Sequence, residues 1–147
     1  YGWHHAVLVP VGHALEQSAP LSLEAIAQYP IITYQEGFSG RTRRIDTAFA
    51  EANLAPDVVI TALDSDVIKT YVELGMGVGI LASMAFDPVR DQGLRMLDAS
   101  HLFGRNMTRI AVLRGHYLRG FAFRFIELCA PALTERVVRA GMETGAA

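Results

Sequence analysis

The 147 residues hold a single cysteine, Cys129, which excludes an internal disulfide. Its neighbours Phe121, Phe125, Ile126 and Leu128 predict a structural thiol on a packed helix face. Long hydrophobic runs are also missing. Nowhere do about 18 uncharged apolar residues follow one another, which excludes an ordinary membrane-spanning helix. Neither sign of charge dominates: the net charge is −2, with 6 basic and 12 acidic groups in residues 1–104 against 7 and 3 in residues 105–147. The seven arginines of the second stretch are spread out and read as a solvated face. Without basic clusters interleaved with exposed aromatics, the chain itself carries no nucleic-acid footprint.

Hydrolytic and redox machinery is missing in the same way. Gly77-Val78-Gly79-Ile80-Leu81-Ala82 matches a GxGxxA pattern, but a dinucleotide fingerprint follows a strand and opens a helix, whereas this one follows a helix and enters a strand. Gly37-Phe38-Ser39-Gly40-Arg41 approaches a nucleophile elbow, yet Arg41 stands where the last glycine is needed, and no acid–histidine pair follows. His4 and His5 point to opposite faces of a strand, so at most one could join His13 on a metal. The expectation is no catalytic residue, no metal and no resident cofactor.

What is present is an alternation of strands and helices. At 51% hydrophobic, a chain of this length can bury a real core, and a soluble globular protein is expected. His4–Val9 reads as a strand; Tyr1 is not an initiator methionine, and so strand-like a start predicts a chain continuing upstream. Ser22 caps a short helix over Leu23–Gln28, stopped by Tyr29-Pro30. Ile31–Tyr34 is a strand, and Arg41–Ala52 an amphipathic helix with Ile45, Ala48 and Phe49 on one face. Asp57–Ala62 is β-branched and reads as a strand covered on both faces. Asp64, Ser65 and Asp66 open a helix whose apolar positions run to a C′ glycine, Gly75, and Val78–Ala82 is a second parallel strand. A turn at Asp91-Gln92-Gly93 leads to Leu94–Leu97, Met107–Leu113 reads as a further strand, and helices follow near Leu118–Leu128 and Ala132–Ala140. The fold class is α/β, with a doubly wound, mostly parallel sheet.

The runs VLVPVGHAL and YPIITYQEGFSGRTRRIDTAFAEANLAPDVVITALDSDVIKTYVELGMGVGILASMA resemble the effector-binding domain of the LysR-type transcriptional regulators. The likeness is greatest to the CysB/Cbl-like branch, on DxDVIKTYVxLGxGVGxxASMA, GFxGR and DTAF in order and at that branch's spacing. The resemblance implies a periplasmic-binding-protein-like domain of two α/β subdomains. Residues 1–99 would be the second subdomain with the first crossover, residues 100–147 the return crossover and the end of the first, and the N-terminal helix-turn-helix would lie outside this chain. It implies a cytoplasmic sensor of sulfur supply, binding sulfate, thiosulfate, O- or N-acetylserine or an adenosine phosphosulfate between subdomains. It also implies a homodimer or homotetramer through this domain, DNA contact only through the helix-turn-helix, RNA polymerase as a further partner, and no membrane. A periplasmic-type anion-binding protein shares the fold and stands as the alternative; an α/β hydrolase or transferase ranks below it.

The site expected on chemical grounds is the loop holding Phe38, Ser39 and Gly40. It joins a strand's carboxyl end to a helix's amino end, where free N–H groups and the helix dipole attract an anion. The Ser39 hydroxyl adds a donor, and Arg41, Arg43 and Arg44 raise the local potential. By the resemblance, Ser39 stands at a family threonine and Trp3, the only tryptophan, lines the effector pocket.

Overall fold

The structure is a computed structural model that describes residues 1–35, 42–113 and 115–143. The chain forms two compact units, one of Gly2–Asn106, the other of Tyr1 with the residues from Met107 on.

In the larger unit the strands are β1 (Gly2–Pro10), β2 (Ile31–Tyr34), β3 (Val58–Ala62), β4 (Val78–Ala82) and β5 (Leu94–Asp98), with β6 (Arg105–Met107) at the unit's boundary. The helices are α1 (Leu23–Ile26), α2 (Thr42–Glu51), α3 (Ser65–Glu73) and α4 (Ser100–Phe103). The sheet order is β3-β2-β4-β1-β5, with β6 also on β1. β2 is parallel to β3 and to β4, as the strand–helix–strand rhythm requires. β1, between β4 and β5, runs antiparallel to both, so the sheet is mixed.

Alternation along the strands divides the core between two faces. Val7 and Val9, Ile31, and Val78 and Ile80 join Ile26 of α1, Ile45 and Phe49 of α2, and Phe103 of α4 on one side. Leu8, Ile32 and Leu81 join Ile68 and Val72 of α3 on the other. The result is a sheet between two helical layers, the doubly wound arrangement expected.

α3 shows how closely local chemistry sets an element. Asp64 Oδ1 accepts from the N–H groups of Asp66 (2.9 Å) and Val67 (3.0 Å), capping the amino end. At the other end Gly75, at φ 75°, donates to Val72 O while Met76 donates to Tyr71 O, the paired bonds of a Schellman motif. Gly79 lets this helix lie on β4: a Cβ there would stand 2.9 Å from Val72 Cγ2 and 3.1 Å from Ile68 Cγ2.

Three expectations are corrected. β3 is not covered on both faces: Val58 and Val59 are exposed, because β3 forms the sheet's outer edge. Met107–Leu113 is not a strand: β6 ends at Met107, Thr108 still exchanges backbone hydrogen bonds with Tyr1 (2.8 and 3.0 Å), and among the described residues no strand continues from there to Leu113. Cys129 does not pack. It ends α5 (Gly120–Cys129), which buries Phe123 and Ile126 and leaves Phe121, Phe125, Leu128 and Cys129 exposed. The smaller unit also contains α6 (Glu135–Glu143), whose Arg139 lies 4.4 Å over the Phe123 ring and donates to Glu135 Oε1 at 2.8 Å.

Candidate functional site

Parallel strands direct their carboxyl ends to one edge of the sheet, where α/β folds place ligands. In the larger unit this edge holds the ends of β2 at Tyr34, β4 at Ala82 and β3 at Ala62. β1, running the other way, begins there, with His5 opposite Ala82. The ladder ends at that pair, and beyond it the short 3-10 turn Ser83–Ala85 packs against β1.

Trp3 and His5 are two residues apart on a strand and share a face, the face that continues through Val7 and Val9 to the layer of α1, α2 and α4. Only 8% of Trp3 is exposed. Its ring meets His5 edge-on (centroids 5.2 Å apart, 68°), His5 meets Phe103 likewise (5.8 Å, 78°), and Phe103 leans on Phe49 of α2 (6.3 Å). His5 is fully buried, with Nδ1 3.4 Å from Asn106 Nδ2. Trp3 thus heads an aromatic row that ends on α2, the helix into which residues 36–41 lead.

Phe38, Ser39, Gly40 and Arg41 lie outside the described residues. Arg44, on the exposed side of α2, reaches toward the junction of α4 and β6: its Nη1 is 3.3 Å from where a Cβ on Gly104 would be. At the start of α3, on the same edge, Asp64 already accepts from the N–H groups of Asp66 and Val67. Tyr34 and Thr33 serve the sheet: Tyr34 Oη accepts from Ala82 N–H (3.4 Å) and Thr33 Oγ1 donates to Ile80 O (3.0 Å).

His5 and Asn106 are the residues that sequence reasoning missed here. The two-residue spacing from Trp3 carries a signal for His5; Asn106 carries none, being 101 residues away in sequence. His13 serves locally, its Nδ1 accepting from Leu15 N–H at 3.2 Å. Nearby, Asp98 accepts from the Ser100 backbone N–H (3.0 Å) and Oγ (3.1 Å) and faces His4 Nε2 at 3.7 Å. The Ser100 amide above all, then its hydroxyl, holds the Asp98 carboxyl below the usual carboxylate range.

The smaller unit has a mostly apolar cavity of about 670 Å³ lined by Ile110, Leu113, Leu118, Phe121 and Phe125, with His116 as the titratable side chain on its wall. No helix among the described residues is long and apolar enough to cross a membrane.

Comparison with known proteins gives one family. A family model described as the LysR substrate binding domain matches residues 1–134. The transcriptional regulator SsuR of Burkholderia cenocepacia is 56% identical over 92% of this chain and 44% of its own length; CysB of the same organism is 48% identical over 97% and 45%. The chain therefore spans less than half the length of these relatives. The crystal structure of the cofactor-binding domain of the Cbl transcriptional regulator superposes with a TM-score of 0.82 at 43% identity, covering 97% of this chain and 63% of that one.

Proposed function

The chain belongs to the LysR substrate-binding-domain family, and from that premise we propose that it is the effector-sensing part of a cytoplasmic transcriptional regulator of sulfur assimilation and cysteine biosynthesis. Its effector is a small sulfur-pathway anion or an acylated serine: sulfate, thiosulfate, O- or N-acetylserine, or an adenosine phosphosulfate. The negative group is held by Ser39 Oγ and the N–H groups about Gly40 at the start of α2, beside Phe38, with Trp3 as wall. The observation that carries this reading is the row from Trp3 through His5 and Phe103 to Phe49, which ties the start of β1 to the helix that the Ser39 loop enters. DNA is reached through an N-terminal helix-turn-helix beyond this chain, the regulator pairs or forms tetramers through this domain and meets RNA polymerase at the promoter, and the domain turns nothing over.

A ligand shifts a conformational equilibrium only by its differential affinity for the two states, so weaker binding also weakens regulation. Calorimetric titration of the full-length protein with sulfate, thiosulfate, N-acetylserine and adenosine phosphosulfate is the test. Ser39→Ala removes one hydrogen bond to a charged group, worth about 1.5–3 kcal/mol, and is expected to lower affinity roughly tenfold to a hundredfold. Trp3→Phe is the milder probe of the wall, because Trp3→Ala would empty a packed position and cost stability of its own. Affinities unchanged in both variants would remove this site.

A further inference from the structure

Lys69 is the chain's only lysine against twelve arginines, and it is buried, 9% exposed, on the inner side of α3. Its ammonium has three hydrogens, and three acceptors surround it: Asp66 Oδ1 at 2.9 Å, Asp91 at 3.2 Å and the Ala85 carbonyl at 3.2 Å. Burial opposes its charge, but the hydrogen bonds to Asp66 and Asp91 and the attraction of both carboxylates outweigh it and hold the lysine above its ordinary range. The partners differ in kind. The Asp66 side chain is 76% exposed and belongs to the same helix, whereas that of Asp91 is 11% exposed and belongs to the loop between β4 and β5.

That loop is wound around the ammonium. Asp91 Oδ2 also accepts from Asp87 N–H (2.9 Å), Asp87 Oδ1 accepts from Val89 N–H (2.9 Å), and Asp91 N–H donates back to Asp87 O (2.8 Å). Ala85 closes the 3-10 turn Ser83–Ala85, which leaves the carboxyl end of β4 and packs against β1, the strand that carries Trp3. Lys69 therefore fastens the rim of the candidate site from the opposite face of the sheet, through Ala85 O on one side and Asp91 on the other.

We infer that Lys69 is a positioning residue of the effector site: it sets the Ser83–Ala85 turn, and with it the start of β1 and the Trp3 ring, without touching the effector. This rests on the functional reading given above.

The test uses the full-length protein, titrated calorimetrically with sulfate, thiosulfate and N-acetylserine, together with the emission of Trp3, isolated by subtracting the Trp3→Phe spectrum. Lys69→Met keeps the aliphatic stem and removes the charge; Asp91→Asn weakens the same clamp from the loop side. Both are expected to red-shift Trp3 emission and to weaken binding about tenfold, a loss the size of one weakened hydrogen bond to a charged ligand. Asp66→Asn, on the exposed partner, is expected to leave emission and affinity as in the wild type. Ile26→Val, in the core of the other sheet face, provides a variant that is less stable with an intact clamp, and it is expected to bind normally. If Lys69→Met and Asp91→Asn bind as the wild type does, or lose no more than Ile26→Val loses, the inference is overturned while the functional reading stands. Asp91→Asn keeps the test decisive should Lys69→Met not fold. A wild-type protein that binds none of the three probes overturns the functional reading and this inference with it.

Discussion

Asp98 shows how one carboxylate at the end of a strand makes stability depend on pH. Its folded pKa lies below the ordinary carboxyl value because the Ser100 amide, the Ser100 hydroxyl and, more weakly, His4 favour the charged form. The sign follows from linkage: a depressed carboxyl binds fewer protons in the folded state, so its stabilisation is fully present above the unfolded value of about 3.9 and is lost as the pH falls through the folded one. The side chain is 69% exposed, so solvent screens the effect and keeps it small. Urea unfolding of the wild type and Asp98→Asn between neutral pH and pH 3 is expected to show the variant less stable near neutrality, with the two curves converging on the acid side. Parallel curves across the whole range would show that Asp98 gains nothing from Ser100. Lys69 has the opposite sign: its contribution is present below the ordinary lysine value and is lost only as the pH rises through a higher folded one.

At the scale of elements, the seating of β4 turns on two glycines, Gly77 against Pro30 at the start of β2 and Gly79 against α3. A Cβ at Gly77 would run into the Pro30 carbonyl oxygen, which accepts from Val78 N–H at 2.8 Å, and one at Gly79 would press on Val72 and Ile68. Gly79→Ala meets side chains that can give a little, so it is expected to cost about 1–3 kcal/mol in urea unfolding, the usual range for an overfilled core. Gly77→Ala meets the Pro30 backbone and is expected to cost more; equal and negligible losses would mean that neither α3 nor the start of β2 holds β4 closely. These glycines match the letters of a phosphate-binding turn, and only their place after a helix and before a strand excluded that reading in advance. Other elements were equally plain from the chain: β2 and β4 are short and β-branched or glycine-bounded, and α3 carries its own cap and stop. The burial of β3 was not plain, because a β-branched run reads the same at the centre of a sheet and at its edge. α5 misled for a related reason. Its apolar residues surround the helix, so periodicity could not tell the buried pair Phe123 and Ile126 from the outward Phe121, Phe125 and Leu128. Met107–Leu113 has strand composition, but a strand exists only in a ladder. At the site, Trp3 was legible as a residue and its shared face with His5 as a spacing, while Asn106 beside His5 is a consequence of the fold alone.

For the molecule as a whole, the question is what its exposed apolar surface does. The larger unit leaves Val58 and Val59 of β3 and Val67 and Leu74 at α3 open to solvent, each 40% exposed or more. A β-branched edge strand with free ladder groups is a template for association unless something covers it. On the proposal that this domain pairs, a second copy is the simplest cover, since a two-fold axis lets one patch serve both partners. Light scattering of the full-length protein at high micromolar concentration is therefore expected to give a dimer or larger. Leu74→Lys supplies the test of place. Leu74 is 69% exposed at the C-cap of α3, where a cation suits the helix dipole, so the substitution should spare the fold while setting like charges against each other across a two-fold contact. It is expected to shift the population toward monomer, more so at low salt than at high. Phe125→Glu on α5, in the other unit, is the companion arm: a shift with Phe125→Glu and none with Leu74→Lys would move the pairing surface to the smaller unit. A wild type that is strictly monomeric would end the proposal that this domain pairs, and the open face of β3 and α3 would then need a different occupant.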